Sequence, residues 1–511
     1  MKKIRHLLTS RWLVTGLLIL IQILFFIGLI LQISSYFYYV QLFLFIISFF
    51  TVLSIINYHS NPTFKLPWIL LIILFPLLGG VLYWIFGKKY VNKTYYKKIH
   101  KQHLEGEQYW REDYTIRKEL KEQNILAERQ SRYIYHYADM PLWKNTETTY
   151  YPVGEAYFKD LIHDLRQAKH FIFLEFFIIH EGKMWNSILG ILKEKAKEGV
   201  DIRIIYDDIG CIDLLPKYYY KTIASYGIKC VPFNRFIPIV SVFHNNRDHR
   251  KMVIIDGMTA FTGGINLADE YINEKKRFGH WKDTAVRLTG DGVWNFTLLF
   301  LDSWNHLCKT DSDYNSFRPN YNHKETFKGT GFVQPYGDSP FDRELIGETV
   351  YLNIINQAKQ YLYINTPYLI ISYEIVVALS NAAKRGVDVR ITTPHIPDKW
   401  YIHIITQSYY QTLIEAGVHI YEYIPGFIHA KSFLADDEIG VISTINLDYR
   451  SLVHHYECGV WMYKTTALKQ LKEDHEQLRK ESKEIDLAFC RAIPWYKRWI
   501  KDLLQLFAPL L

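Results

Sequence analysis

An internal repeat constrains this chain more than any other feature. Gln167-Ala168-Lys169 followed by Phe171–Leu174 returns as Gln357-Ala358-Lys359 followed by Tyr361–Ile364. Gly199-Val200-Asp201-Ile202-Arg203-Ile204 returns as Gly386-Val387-Asp388-Val389-Arg390-Ile391, and Tyr226-Gly227-Ile228 as Ala416-Gly417-Val418. The offsets are 190, 187 and 190 positions, a constancy that chance does not supply. Each copy reads as short β-branched or aromatic strands alternating with helical stretches, the plainest helices being 186–198 and 374–385, each ending at a Gly before a strand. That alternation predicts an α/β sandwich per copy. Two like halves can pack about a pseudo-two-fold axis, which sets matching residues face to face.

The repeat carries chemistry. His249-Arg250-Lys251 through Asp256 is matched by His429-Ala430-Lys431 through Asp436, both reading H-x-K-x-x-x-x-D, with Asn266 and Asn446 each ten residues past the Asp. The motifs sit in apolar, β-rich runs that end at turn residues, so each is expected on a strand entering a hairpin. Positions i and i+2 of a strand share a face, which points His and Lys of each copy into one cleft. Lysine offers a point charge to a phosphoryl oxygen, and Asn an amide donor. Histidine can serve as nucleophile or general acid. Two copies meeting would surround one phosphorus with two imidazoles, two ammonium groups and two amides. Asp256 and Asp436 complete the motif and stand with the catalytic candidates, although their place at the hairpin turns favours a structural role.

Composition narrows the setting. Hydrophobic residues make up 49% of the 511 and charged residues 22%, which fits a globular chain with a membrane-soluble piece. The net charge of +8 is modest and argues no more for nucleic acid than for an anionic membrane surface. Between Arg11 and Lys88 the only charged residue is Lys65, and three apolar runs fill the interval: Trp12–Gln32, Tyr36–Ile56 and Leu66–Phe86. Each is long enough as a helix for a hydrocarbon core of about 30 Å. Basic residues flank the stretch on both sides, which predicts an even number of crossings and a cytoplasmic catalytic part. The third run, interrupted by Pro76, Gly79 and Gly80, is the candidate for a re-entrant segment. The charged stretch after it reads as a solvated helical connector. Five scattered cysteines suit a reducing compartment, and no zinc signature or Walker loop is present, so neither a metal nor another cofactor is expected.

These motifs resemble the signature of the phospholipase D superfamily, and the wider chain resembles the bacterial cardiolipin synthases. The likeness includes Asn61-Pro62 through Leu70, Asp207-Asp208-Ile209-Gly210, Thr262 through Tyr271, Trp281-Lys282-Asp283-Thr284, Thr366-Pro367-Tyr368 and Asn446 through Ser451. It implies two phospholipase D-like α/β sandwich repeats related by a pseudo-two-fold, preceded by N-terminal transmembrane helices. The expected divisions are 1–90 (membrane segments), 91–140 (connector), 141–315 and 330–493 (the repeats), and 494–511 (an amphipathic tail). It also implies a multi-pass membrane protein acting on an anionic phospholipid, phosphatidylglycerol, through a phosphohistidine. His249 is then the nucleophile and His429 the acid/base, while Lys251, Lys431, Asn266 and Asn446 bind phosphate.

Relatives place an orienting carboxylate some 25 to 35 positions after each His, and Asp283 and Glu457 fit, Asp283 serving His249 and Glu457 serving His429. Ser443, Thr444 and Ala285 depart from the family pattern without removing an essential group. Hydrolysis of the same substrate and a catalytically silent scaffold are the alternatives. The membrane runs disfavour a nucleic-acid partner, and no residue pattern sets an oligomeric state.

Overall fold

A computed structural model describes residues 36–58, 61–87, 107–235, 246–310, 312–318, 327–341 and 344–510, together with positions 20, 23, 24 and 27. The chain divides into two compact units: residues 94–235 with 247–501 form one, and the described parts of 1–93 with 502–511 belong to the other.

In the larger unit each repeat is one mixed sheet. The first runs in the order Thr146–Tyr151, Ala285–Gly290, Thr259–Gly263, Lys251–Ile255, Phe171–Phe176, Asp201–Asp207, Lys229–Phe233. From its opposite end the second repeats this strand for strand: Phe332–Asp338, Glu457–Tyr463, Ile439–Ser443, Ser432–Ala435, Tyr361–Asn365, Asp388–Pro394, His419–Tyr423, with Ser482–Ile485 added at the edge. The last three shared strands are parallel, and the helices Lys183–Lys197 and Tyr373–Lys384 make the crossovers between the first two of them. Phe171–Phe176 and Tyr361–Asn365 lie mid-sheet and are buried along their whole length, which is why 171–174 and 361–364 read as continuous apolar runs rather than alternating ones. The α/β sandwich expected of each copy is thus present.

The two repeats are joined reciprocally. Helix Val293–Cys308 of the first packs on strand Phe332–Asp338 of the second, and helix Thr466–Lys480 of the second packs on Thr146–Tyr151 of the first. Two short parallel pairings complete the joint: His280–Lys282 with Gly426–Ile428, and Asp248 with Tyr456. In each, the segment just before one motif histidine lies beside the segment just before a carboxylate of the other repeat.

The charged connector is not merely solvated, as its composition led one to expect. Helices Tyr114–Gln123 and Ile125–Ala138 meet at Asn124, whose Oδ1 accepts from the N–H groups of Leu126 and Ala127. Ala127, Gln130, Ser131 and Ile134 are buried at helical spacing against the second repeat. Gln130 donates to the Val350 carbonyl at 3.1 Å, and Gln334 donates to the carbonyls of Ser131 and Met140 at 3.1 and 2.6 Å. A charge-rich sequence hid this face because two of its four buried members, Gln130 and Ser131, are polar.

In the smaller unit Tyr36–Asn57 is one 22-residue helix, about 33 Å long and mostly exposed along its apolar length. Lys65 donates to the Ile56 carbonyl at 3.0 Å and satisfies one orphan acceptor at the end of this helix. The run Leu66–Phe86 is not a continuous span. It breaks at Phe75–Pro76 into Pro62–Leu74 and Pro76–Leu82, because a residue before proline is driven to extended backbone. The pieces fold back so closely that a Cβ on Gly79 would lie 2.5 Å from the Leu71 carbonyl oxygen. Among the described residues, one helix is long and apolar enough to cross a membrane. The Trp12–Gln32 run lies largely outside them.

Candidate active site

Backbone pairing at the joint of the repeats positions the histidines. The His249 N–H donates to the Tyr456 carbonyl at 2.9 Å, and the His429 N–H donates to the Lys282 carbonyl at 2.7 Å. The strands begin only at Lys251 and Ser432, so both histidines precede the strands on which the spacing placed them. The next residue after each carbonyl is an acid, Glu457 and Asp283. His429 Nδ1 lies 2.7 Å from Asp283 Oδ2, while His249 Nδ1 lies 2.8 and 3.0 Å from the two Glu457 oxygens. The carboxylates are therefore exchanged between repeats. The expectation that Asp283 serves His249 and Glu457 serves His429 is corrected, because the pairing follows the inter-repeat strands rather than distance along the chain.

All four groups are nearly sealed: the histidines are 6% and 7% exposed and the acids 0%. Burial, then Lys251, pushes His249 far below the ordinary imidazole range. Burial, then Lys431, brings His429 down to about 4, against the pull of Asp283. Both rings are thus neutral near pH 7. With Nδ1–H donating to a carboxylate, Nε2 carries the reactive lone pair. His429 and Lys431 both act electrostatically on His249, so the two motifs converge on one locality.

Lys251 and Lys431 are 1% exposed, and their ammonium groups donate to the carbonyls of His249 and His429 at 2.6 and 2.5 Å. Each lysine therefore braces the backbone of its own histidine as well as supplying charge. Burial lowers Lys251 to about 8 and Lys431 to about 7. A lysine loses its cation above its pKa, so affinity for an anionic phosphodiester falls as pH rises through that range. Bound anion stabilises the cations, so KM rises between about pH 7 and 9 while kcat changes less. Steady-state kinetics against pH tests this, and a KM flat over that interval contradicts it.

Asn266 is buried, but its carboxamide is engaged: Oδ1 accepts from the Ile178 N–H at 3.0 Å and Nδ2 donates to the Tyr271 hydroxyl at 2.7 Å. Asn446 is buried and donates toward Asp448. Both amides thus hold local loops, with one N–H at most left for a phosphate.

Asp256 and Asp436 belong at the far ends of the strands, not in the site. Asp256 accepts from the N–H groups of Lys169, His170 and Phe171 at 2.8, 2.8 and 2.9 Å, and Asp436 from those of Lys359, Gln360 and Tyr361 at 2.7, 2.8 and 3.0 Å. Their φ of 52° and 55° is left-handed, which Asp tolerates at a turn. Placing them with the catalytic groups is corrected on this geometry. Asp436→Ala is expected to cost about 2–4 kcal/mol of stability, from three charge-assisted hydrogen bonds, and to leave kcat of the folded enzyme unchanged. Urea unfolding and active-site-normalised kinetics check it.

The half-sites differ in their surroundings. At His429 lie the rings of Trp281, Tyr271 and Phe427, with centroids at 5.5, 5.6 and 5.9 Å. At His249 lie Phe177 and His455, at 5.0 and 5.3 Å. Gly264 leaves room for Asp283, since a Cβ there would sit 2.0 Å from its Oδ1. At the matching position Thr444 donates its hydroxyl to Glu457 Oε2 at 2.5 Å. Motif reading missed His455, and it singled out Thr444 only as a departure from the family pattern, not as a partner of Glu457. The repeat offers a signal for the first, because His455 stands two residues before Glu457 as Trp281 stands two before Asp283.

The family model described as cardiolipin synthase, PLD-like domain, matches residues 161–276 and 351–479, one segment per motif, and the phospholipase D-nuclease N-terminal model matches 46–88. A cardiolipin synthase of Halalkalibacterium halodurans is 32% identical over 462 residues, covering 89% of this chain and 90% of the relative. The chain belongs to the cardiolipin synthase family. Another member, from Geobacillus sp., is 33% identical over 458 residues with 89% and 90% covered. Membership makes the chain a phosphatidyltransferase of the phospholipase D superfamily, active in cardiolipin synthesis. The crystal structure of phosphatidylserine synthase from Haemophilus influenzae matches with a TM-score of 0.56 at 16% identity, covering 75% of this chain and 97% of that one, which shows a shared fold.

Proposed function

We propose that this member of the cardiolipin synthase family transfers the phosphatidyl group of one phosphatidylglycerol to the glycerol hydroxyl of another through a phosphohistidine. The exchanged carboxylates carry the reading, since neither histidine has its orienting acid without the other repeat. His249 Nε2 attacks phosphorus, the bond from phosphorus to the glycerol oxygen breaks, and His429 gives that oxygen a proton. A hydroxyl of the second phosphatidylglycerol then attacks phosphorus, passes its proton to His429, and displaces His249. One phosphodiester replaces another, so no nucleotide is consumed. The anionic phosphate raises the proton affinity of the imidazoles that meet it, which supplies the protonated His429 that the first step requires. Lys251 and Lys431 stabilise the charge on the five-coordinate phosphorus. Near-complete burial of both rings favours an alcohol brought by the lipid over bulk water as acceptor.

The C-terminal helix Trp495–Phe507 suits a bilayer interface. Trp495, Trp499 and Leu503 are spaced four apart and 72%, 74% and 57% exposed, with Arg498 and Lys501 on the same helix. Together with Tyr36–Asn57 it supports a membrane-bound enzyme whose substrate arrives from the lipid phase.

Purified enzyme given phosphatidylglycerol vesicles should yield cardiolipin and free glycerol in equal amounts by lipid mass spectrometry. Phosphatidic acid as the main product overturns the reading in favour of hydrolysis.

A further inference from the structure

His455 sits in the interior with no role in the transfer just described. It is 8% exposed, and neither ring nitrogen has a hydrogen-bond partner. A buried imidazole left this way gives up its hydration without compensation, so its surroundings matter. Its Nδ1 lies 3.6 Å from Glu457 Oε1, the same oxygen that lies 2.8 Å from His249 Nδ1. One ligand atom from each of His249, His455 and Glu457 can be chosen so that all three lie within 4.8 Å of one another.

We propose that these three side chains form a binding site for a divalent transition-metal ion of the Zn²⁺ class, and that its occupancy switches transfer off. Two imidazoles and one carboxylate are a donor set that Zn²⁺ accepts, leaving a fourth position for water. Zinc takes such ligands at about 2.0–2.2 Å, which sets tetrahedral donors about 3.4 Å apart, so the His249–Glu457 contact must open slightly while the His455–Glu457 separation is already close to that spacing. Thr444, donating to Glu457 Oε2, fixes the carboxylate that would bridge to the ion.

Inhibition follows from the tautomer. A metal on His249 Nδ1 takes that lone pair, and the proton of the neutral ring moves to Nε2. Nε2 then has no lone pair with which to attack phosphorus. The other half-site cannot do this, because the place of His455 is taken there by Trp281, whose indole offers no lone pair to a metal.

The inhibitory part rests on His249 being the attacking group, and the experiment keeps the two claims apart. Full-length enzyme in phosphatidylglycerol vesicles is titrated with buffered free Zn²⁺, and separately with Co²⁺ followed by visible absorption. The expected result is loss of transfer with one ion per chain, reversed by chelator, and a Co²⁺ ligand-field band of four-coordinate intensity. His455→Asn should retain transfer, need at least about tenfold more Zn²⁺ for the same inhibition, and lose the Co²⁺ band. His455→Gln is the second variant if Asn lowers expression, and the Co²⁺ band needs no turnover to be read. Equal Zn²⁺ sensitivity in wild type and variants, or a Co²⁺ band that survives in them, overturns the site. A His455-dependent band with transfer unaffected overturns the role of His249 instead.

Discussion

His249→Ala and His429→Ala each lower phosphatidyl transfer by at least about 10⁴-fold, and the double variant is no slower than either single one. Groups that act as one unit lose most of their effect when any member goes, so their losses do not add. The structure gives the reason for such coupling: each imidazole is oriented by a carboxylate from the opposite repeat and held by a backbone hydrogen bond to the residue before it. Two independent sites would behave otherwise, with each single variant keeping near half of the turnover. Initial rates of cardiolipin formation, with thermal melts to show that the variants fold, decide between them. Residual activity above a few per cent in either single variant contradicts a shared site.

Asp283→Asn and Glu457→Gln are nearly as damaging, at about 10³–10⁴-fold in kcat. An amide presents a donor as readily as an acceptor, so it permits the tautomer in which Nδ1 has no proton and Nε2 is blocked. The exchange of carboxylates makes the damage specific. Asp283→Asn should remove the low-field Nδ1 proton resonance of His429 and spare that of His249, while Glu457→Gln should do the reverse. Loss of the resonance from the same-repeat histidine in either variant would show that the carboxylates pair within repeats. Glu457→Gln also leaves the Thr444 hydroxyl donating to an amide, so the side-chain oxygen remains anchored and the variant is a fair test of charge rather than position.

Much of this architecture is legible in the sequence because duplication prints it twice. Constant offsets near 190 return as two sheets with the same strand order, and apolar runs such as 171–174 return in central strands buried on both faces. The orienting acids were visible as residues but not as pairs. Asp283 stands nearer His249 in the chain, yet Lys282 is hydrogen-bonded to His429, and nothing in a linear spacing reveals a pairing between repeats. Asp256 and Asp436 share the motif with catalytic groups while binding three N–H groups of a strand start, a role that only the hairpin geometry displays. The run Leu66–Phe86 has the composition of a span, and Pro76 with the close approach at Gly79 divides it. His455 escaped because the His454-His455 pair lies outside both motifs, and only the matching of Glu457 with Asp283 across the repeat marks its position.

The central claim is that two repeats make one site that passes through one covalent intermediate. The direct test is to mix enzyme with phosphatidylglycerol, quench without acid on the millisecond scale, and map adducts by peptide mass spectrometry. The account predicts one acid-labile phosphatidyl group per chain, on His249, absent in His249→Ala and discharged by added phosphatidylglycerol. Adducts on both histidines at a total of two per chain, or cardiolipin formed with no adduct at any time, would contradict it.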